Sequence, residues 1–223
     1  MSEFTREEVI AKVNAKISLW GANLTCIDLK DVDLDGGNLA NANLTGADLQ
    51  RVSLFRATLS GAIMCDTNLT SADLRFADLM NADLTCANLQ GANLFEANLS
   101  GGVCLKNADL SLADLQKANL YCADLEDAFL VDANLKRADF RYANLKTAGL
   151  TRANLTGADL QFANLQDADL EDANLQRADL KRVNLTGANL SGTDLSGADL
   201  MNVTLTQKQI DECIGYDLTL RRA

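Results

Sequence analysis

The sequence predicts an all-β solenoid, a quadrilateral parallel β-helix that closes on four sides every 20 residues. Three observations predict it. Leucine recurs at every fifth residue from Leu19 to Leu99 and again from Leu110 to Leu205, with only Met64 and Phe140 departing. A small residue, usually Ala, stands two positions before each Leu with Asp or Asn between them, as in ADLTC at 82–86 and ANLTG at 153–157. Neither regular backbone gathers such a period into one core. On a helix, steps of about 100° scatter successive leucines around the cylinder; on a flat strand they alternate between faces.

A chain that turns a corner once per repeat does gather them. Leu and the small residue then point inward and the Asp or Asn between them points out. The two variable residues occupy the corner. Asx side chains bond nearby backbone and favour turns, and Gly tolerates positive φ. A narrow coil holds Ala beside each Leu but no second large side chain. Leu stacks on Leu from coil to coil, and burying each stabilises by roughly 1.5–3 kcal/mol before entropy. About nine coils fit, a rod of roughly 45 Å at the usual inter-strand spacing.

The tandem A(D/N)LXX motif resembles the pentapeptide repeat family, and the resemblance covers Leu19 through Leu205. It implies that the β-helix is right-handed, and a bacterial source, since such proteins are especially numerous in cyanobacteria. It also implies an alternative function, because some members mimic duplex DNA in the channel of a type II topoisomerase and protect or inhibit gyrase. The net charge of -11 suits that reading. The Leu at the centre of nearly every repeat does not, because such mimics tend to carry Phe there.

The open ends of a coil stack expose strand edges, so solenoids cap them. Thr5-Arg6-Glu7-Glu8 reads as a capping box opening a helix with Val9, Ile10, Val13 and Ile17 as its apolar face. Thr206-Gln207-Lys208-Gln209 reads likewise, with Ile210, Cys213 and Ile214 packing on the last coil and Gly215 as terminator. The division is thus 1–18 helical cap, 19–205 β-helix, and 206–223 helical cap and tail. Leu99 to Leu110 spans one residue too many, so a bulge is expected within 100–108, with Cys104 or Leu105 in the inward slot.

Composition narrows the function. His is absent, which removes the usual Ser-His-Asp arrangement and the commonest neutral metal ligand. Neither GxxxxGK[ST] nor GxGxxG occurs. The six cysteines include no CxxC and read as reduced thiols of a cytoplasmic protein. No apolar run suits a signal peptide or a membrane span. Asp139, Asp159, Asp179 and Asp199 fall in one column, read as turn residues and not as a cation site. No enzyme activity, cofactor, metal or direct nucleic-acid partner is expected.

The 20-residue period sorts the exterior into four faces. The first carries Trp20, Met80, Tyr121, Arg141, Tyr142, Phe162, Lys181 and Arg182. The fourth, beside it, carries Phe55, Arg56, Arg75, Phe76, Phe95, Lys117, Lys136, Arg137 and Arg177. The second and third carry Asp66, Glu126, Asp127 and Asp167, and Asp31, Asp132, Glu171 and Asp172. Exposed aromatics interleaved with Arg suit a protein interface. The candidate partner surface is Phe55, Arg75, Phe76, Phe95, Tyr121, Arg141, Tyr142 and Phe162, on a monomer or weak dimer. The competing reading is that these rings merely stack and steady the corners.

Overall fold

The computed structural model describes residues 2–216. The repeat at 43–47 shows why the motif folds as it does. Asn43 N–H donates to Ala22 O of the preceding coil (2.9 Å), and Leu44 N–H to Ile63 O of the next (2.7 Å). Thr45 N–H donates to the Asn43 side-chain Oδ1 (3.0 Å). Gly46 N–H reaches Cys65 O (2.9 Å), and Ala47 N–H closes the corner on Leu44 O (2.9 Å). Each main-chain donor of the repeat is thereby used, as a compact coil requires. The Asx residue is the acceptor for the one N–H that the ladder cannot reach.

The corner has a fixed conformation. Its second residue carries positive φ, as at Cys26 (54°), Gly46 (65°), Phe76 (59°) and Tyr142 (61°). With the Leu O to Ala N bond, this is the pattern of a type II turn.

Parallel bridges join Asn23 to Asn43, Asp28 to Asp48, Asp33 to Ser53 and Asn38 to Thr58, four in each 20-residue coil. Among the described residues of the rod, these bridges are isolated and do not merge into strands, so the parallel pairing of a β-helix is present without extended strands. A corner in every repeat leaves each side only one residue long enough to pair. The core is one continuous cluster of the Leu and Ala columns, with Met64 and Phe140 fully buried in Leu slots. Thr67 and Thr193 stand in Ala slots, and their hydroxyls donate to Leu44 O (3.0 Å) and Leu170 O (2.7 Å).

The extra residue is absorbed at a corner. Ser100, Gly101 and Gly102 form a three-residue turn, and Leu105 fills the inward slot while Cys104 bridges Asp83. Gly101 and Gly102 have φ of 78° and 88°. A Cβ on Gly101 would lie 2.6 Å from Asn81 Oδ1, so the turn needs glycine there.

Helix α1 (Arg6–Asn14) begins with the Thr5/Glu8 capping box, and α2 (Gln207–Glu212) with the Thr206/Gln209 box. Val9 and Val13 are buried in the core cluster, and Arg6 donates to Lys30 O (2.6 Å). Gln209 is buried and donates to Leu185 O (2.9 Å) and Ala188 O (3.0 Å), serving carbonyls of the coil end. Three details differ from expectation. Ile17 lies past the end of α1 and is 52% exposed. Ile214 bridges Asp194 and is 57% exposed, because the chain leaves α2 to run alongside a coil. Gly215 lies beyond that bridge, and Cys213 caps the helix. The expected tail at 217–223 lies outside the described residues.

Candidate functional site

The corner following Leu19, Leu39, Leu59 and their successors is the first; the second, third and fourth follow Leu24, Leu29 and Leu34. The side between the fourth and first corners carries the bridge column Asn38, Thr58, Asp78, Asn98, Asn119, Asp139, Asp159, Asp179 and Asp199. The eight candidate residues flank this side or lie on it at its edges. They do not form one patch but two three-ring ladders on its two borders.

On the fourth corner, Phe76 stands between Phe55 and Phe95, edge to face at centroid distances of 5.6 and 5.7 Å. On the first corner, farther along the rod, Tyr142 meets Tyr121 edge to face at 5.7 Å and stacks on Phe162 at 4.8 Å. These spacings suit rings that rise one coil at a time. Bases cover the ladders: Arg75 and Arg56 over Phe55, Arg56 over Phe76, Arg141 over Tyr121. Lys117 lies over Phe95 and Arg182 over Phe162. Arg56, Lys117 and Arg182 thus join the candidate set; the one-coil spacing of base and ring was the signal for them. Trp20 and Met80 are exposed on the first corner but belong to neither ladder.

Arg75 and Arg141 are themselves held. Arg75 grips Asp73 with Nη2 at 2.6 Å, and Arg141 grips Asp139 likewise at 2.6 Å. The Arg75 side-chain hydrogen bond holds the Asp73 carboxyl below its ordinary range. Burial alone would raise the Asp139 carboxyl, but hydrogen bonds from the Arg141 side chain and backbone outweigh it and keep it low. The column beginning at Asp139 is as aligned as expected, and Lys181 bridges Asp179 (2.9 Å) and Asp199 (3.0 Å).

The division of charge is less clean than the sequence suggests. Bases on the second and third corners pair with acids a coil away: Arg51 with Asp31, Arg152 with Asp132, Lys106 and Lys146 with Glu126. Bridging positions hold many Asp and no Lys or Arg, whereas the corners carry more bases than acids. The net charge of -11 therefore arises from residues that make turns. Cys26, Cys86 and Cys122 are exposed because they occupy the second corner position, and burial pushes the Cys65 thiol up to about 11. Among the described residues no cluster of His, Cys, Asp or Glu is arranged to hold a metal, and no helix is long and apolar enough to cross a membrane. The sequence reading passes over Leu112 and Phe129, both exposed on the opposite half of the rod.

Tandem five-residue units, one corner each, wound into a four-sided parallel coil with exposed ring ladders, define a repeat-built solenoid. The pentapeptide repeat model matches in eight copies from 17 to 207, and the chain belongs to that family. HetL, a pentapeptide repeat protein involved in heterocyst differentiation regulation in the cyanobacterium Nostoc sp. strain PCC 7120, is 33% identical. That match covers 86% of this chain and 97% of HetL, with a TM-score of 0.38. A pentapeptide repeat protein of the Arabidopsis thaliana thylakoid lumen is 30% identical over 54% of this chain and 72% of its own, TM-score 0.27. QnrB1, a plasmid-mediated fluoroquinolone resistance protein, is 19% identical over 84% of this chain and 87% of its own, TM-score 0.36. No curated protein matches.

Proposed function

We propose that the chain is a non-enzymatic protein-interaction module, regulatory or scaffolding, whose partner docks on the side bordered by the two ring ladders. One observation carries the reading. Phe76, Tyr142 and Phe162 are exposed at corner positions whose φ is 59–61°. A side chain there costs about 1–2 kcal/mol relative to glycine, while each ring pair returns about 0.5–1.5 kcal/mol. The two nearly cancel, so steadying the corner is a weak reason for placing rings there. Binding is a better one: rigid aromatics beside Arg form the anchors of protein interfaces.

In this proposal 19–205 is a right-handed rod of about nine coils. Segments 1–18 and 206–223 act as caps that keep it a monomer or weak dimer. HetL's part in regulating heterocyst differentiation agrees with a regulatory role. Mimicry of DNA has less behind it, because the acidic residues serve Asx turns and ion pairs while the corners project more bases.

The test compares wild type with Phe76→Gly/Tyr142→Gly, which removes ring contacts and corner strain together, in crosslinked capture from the native cell. A partner retained by wild type and lost by the variant, at unchanged melting temperature, is the expected result. Equal capture by a variant that melts lower would overturn the reading.

A further inference from the structure

The side opposite the ladders lies between the second and third corners. Its bridge column runs Asp28, Asp48, Asn68, Asn88, Asp109, Phe129, Gly149, Asp169 and Asn189. Phe129 breaks the rule that makes the fold. The residue in that slot ordinarily accepts the first corner N–H, as Asp109 does from Ser111 (2.9 Å). Phenylalanine has no acceptor to offer, and its side chain is 54% exposed, so it gains little from burial. Its neighbour in the next coil is Gly149, where a Cβ would stand 4.0 Å from the ring, so the ring edge overhangs a position without a side chain. At the third corner of the same side, Leu112 is 61% exposed with φ of 62°, again a choice the backbone disfavours. Val131 occupies that corner in the coil of Phe129.

Charge says what this apolar island faces. The flanking corners and column between 106 and 172 carry Asp109, Glu126, Asp127, Asp132, Asp167, Asp169, Glu171 and Asp172. The bases on this stretch are Lys106, Lys146 and Arg152. Each is engaged: Lys106 with Asp124 and Glu126, Lys146 with Glu126, Arg152 with Asp132. Asp109, Asp127 and Asp169 form no ion pair within the described residues, so a surplus of carboxylate surrounds the ring.

We infer that the Phe129 side is a second docking surface, and that it takes a basic segment of a protein partner with an apolar side chain to set against Phe129 and Leu112. Guanidinium or ammonium groups of that segment meet Asp109, Asp127 and Asp169, and a cation over the ring adds to the contact. Because this side and the laddered side are on opposite halves of the rod, the two sites are separate and can be filled together.

The variant Phe129→Asn makes the test sharp, since Asn restores the residue that the repeat prefers. The probe is a labelled octapeptide of alternating Arg and Leu, titrated into the full chain and followed by fluorescence anisotropy. Wild type should bind it saturably, and Phe129→Asn should weaken binding about tenfold or more, as loss of a central aromatic anchor does. The variant should melt no lower than wild type. Octapeptides with Glu for Arg, or with Ser for Leu, should bind far more weakly, and Tyr142→Ser should leave binding of the Arg-Leu peptide unchanged, which separates this site from the laddered one. Absence of saturable binding, equal binding of the Ser peptide, or a lower melting temperature with unchanged affinity would overturn the inference. So would a concentration-dependent dimer in sedimentation that Phe129→Asn abolishes, because the occupant would then be a second copy of the chain.

Discussion

Inside the rod, successive coils set Leu on Leu and Ala on Ala with few departures; at the second corner position the same coils hold Gly, Asp, Arg, Cys, Phe and Tyr in turn. The interior tolerates little because its volume is fixed by the 20-residue coil, and Thr67 and Thr193 enter only by donating their hydroxyls to a carbonyl. The corner tolerates much because its backbone bonds do not involve its side chains. Stability is therefore written in the interior and the Asx column, and the corner is left free to vary.

Substitutions break or sharpen that contrast in order of size. Leu155→Ala, in the fully buried column, should cost about 2–5 kcal/mol, seen as a loss of several degrees in melting temperature. Gly101→Ala should cost about 1–2 kcal/mol, from positive φ and the approach of Asn81 Oδ1, and a urea midpoint would register it. Asn154→Ala removes the acceptor of Thr156 N–H (3.1 Å) and should cost about 1 kcal/mol, whereas Asn154→Asp should be nearly neutral.

The pH dependence should be smaller still near neutrality. Asp31, Asp73 and Asp132 are held below their ordinary range mainly by hydrogen bonds from Arg51, Arg75 and Arg152, and Asp139, which burial pushes upward most strongly, is kept low by the combined side-chain and backbone hydrogen bonds of Arg141. Folded carboxyls that titrate lower than unfolded ones contribute stability above the unfolded value and lose it as pH falls through the folded one. The melting temperature should stay level from neutral pH to about 5 and drop below about pH 4. A drop that begins near neutrality would contradict these assignments.

Much of this was legible in the residues. The period of five forced a corner per repeat, and Thr5 with Glu8 and Thr206 with Gln209 announced both helices. Spacing left Cys104, five residues after Leu99, and Leu105, five before Leu110, as equal candidates for the inward slot, and the wider turn at 100–102 gives it to Leu105. Other features depended on distances that a pattern does not contain. A three-residue side is too short for two successive bridges, so the coils stack without strands. The left-handed corner residue was visible in principle, since Gly21, Gly36, Gly46, Gly61 and Gly91 all occupy that position. The 20-residue period put the two sets of rings on different faces but not their contacts, because Phe76 and Phe95 sit at different corner positions yet touch. Ile17 and Ile214 looked like cap residues because apolar spacing does not reveal where a helix stops.

The division of labour between interior and corner is tested most directly by the thermal midpoint of Phe76→Gly/Tyr142→Gly, which removes both the rings and the Cβ strain, set beside that of Leu155→Ala. Strain relieved at two left-handed corners should offset the lost ring contacts, leaving the double variant within about 2–4 °C of wild type, roughly 1 kcal/mol, while Leu155→Ala falls well below. A double variant that melts as low as Leu155→Ala would mean that the ladders hold the rod together, and the contrast would fail.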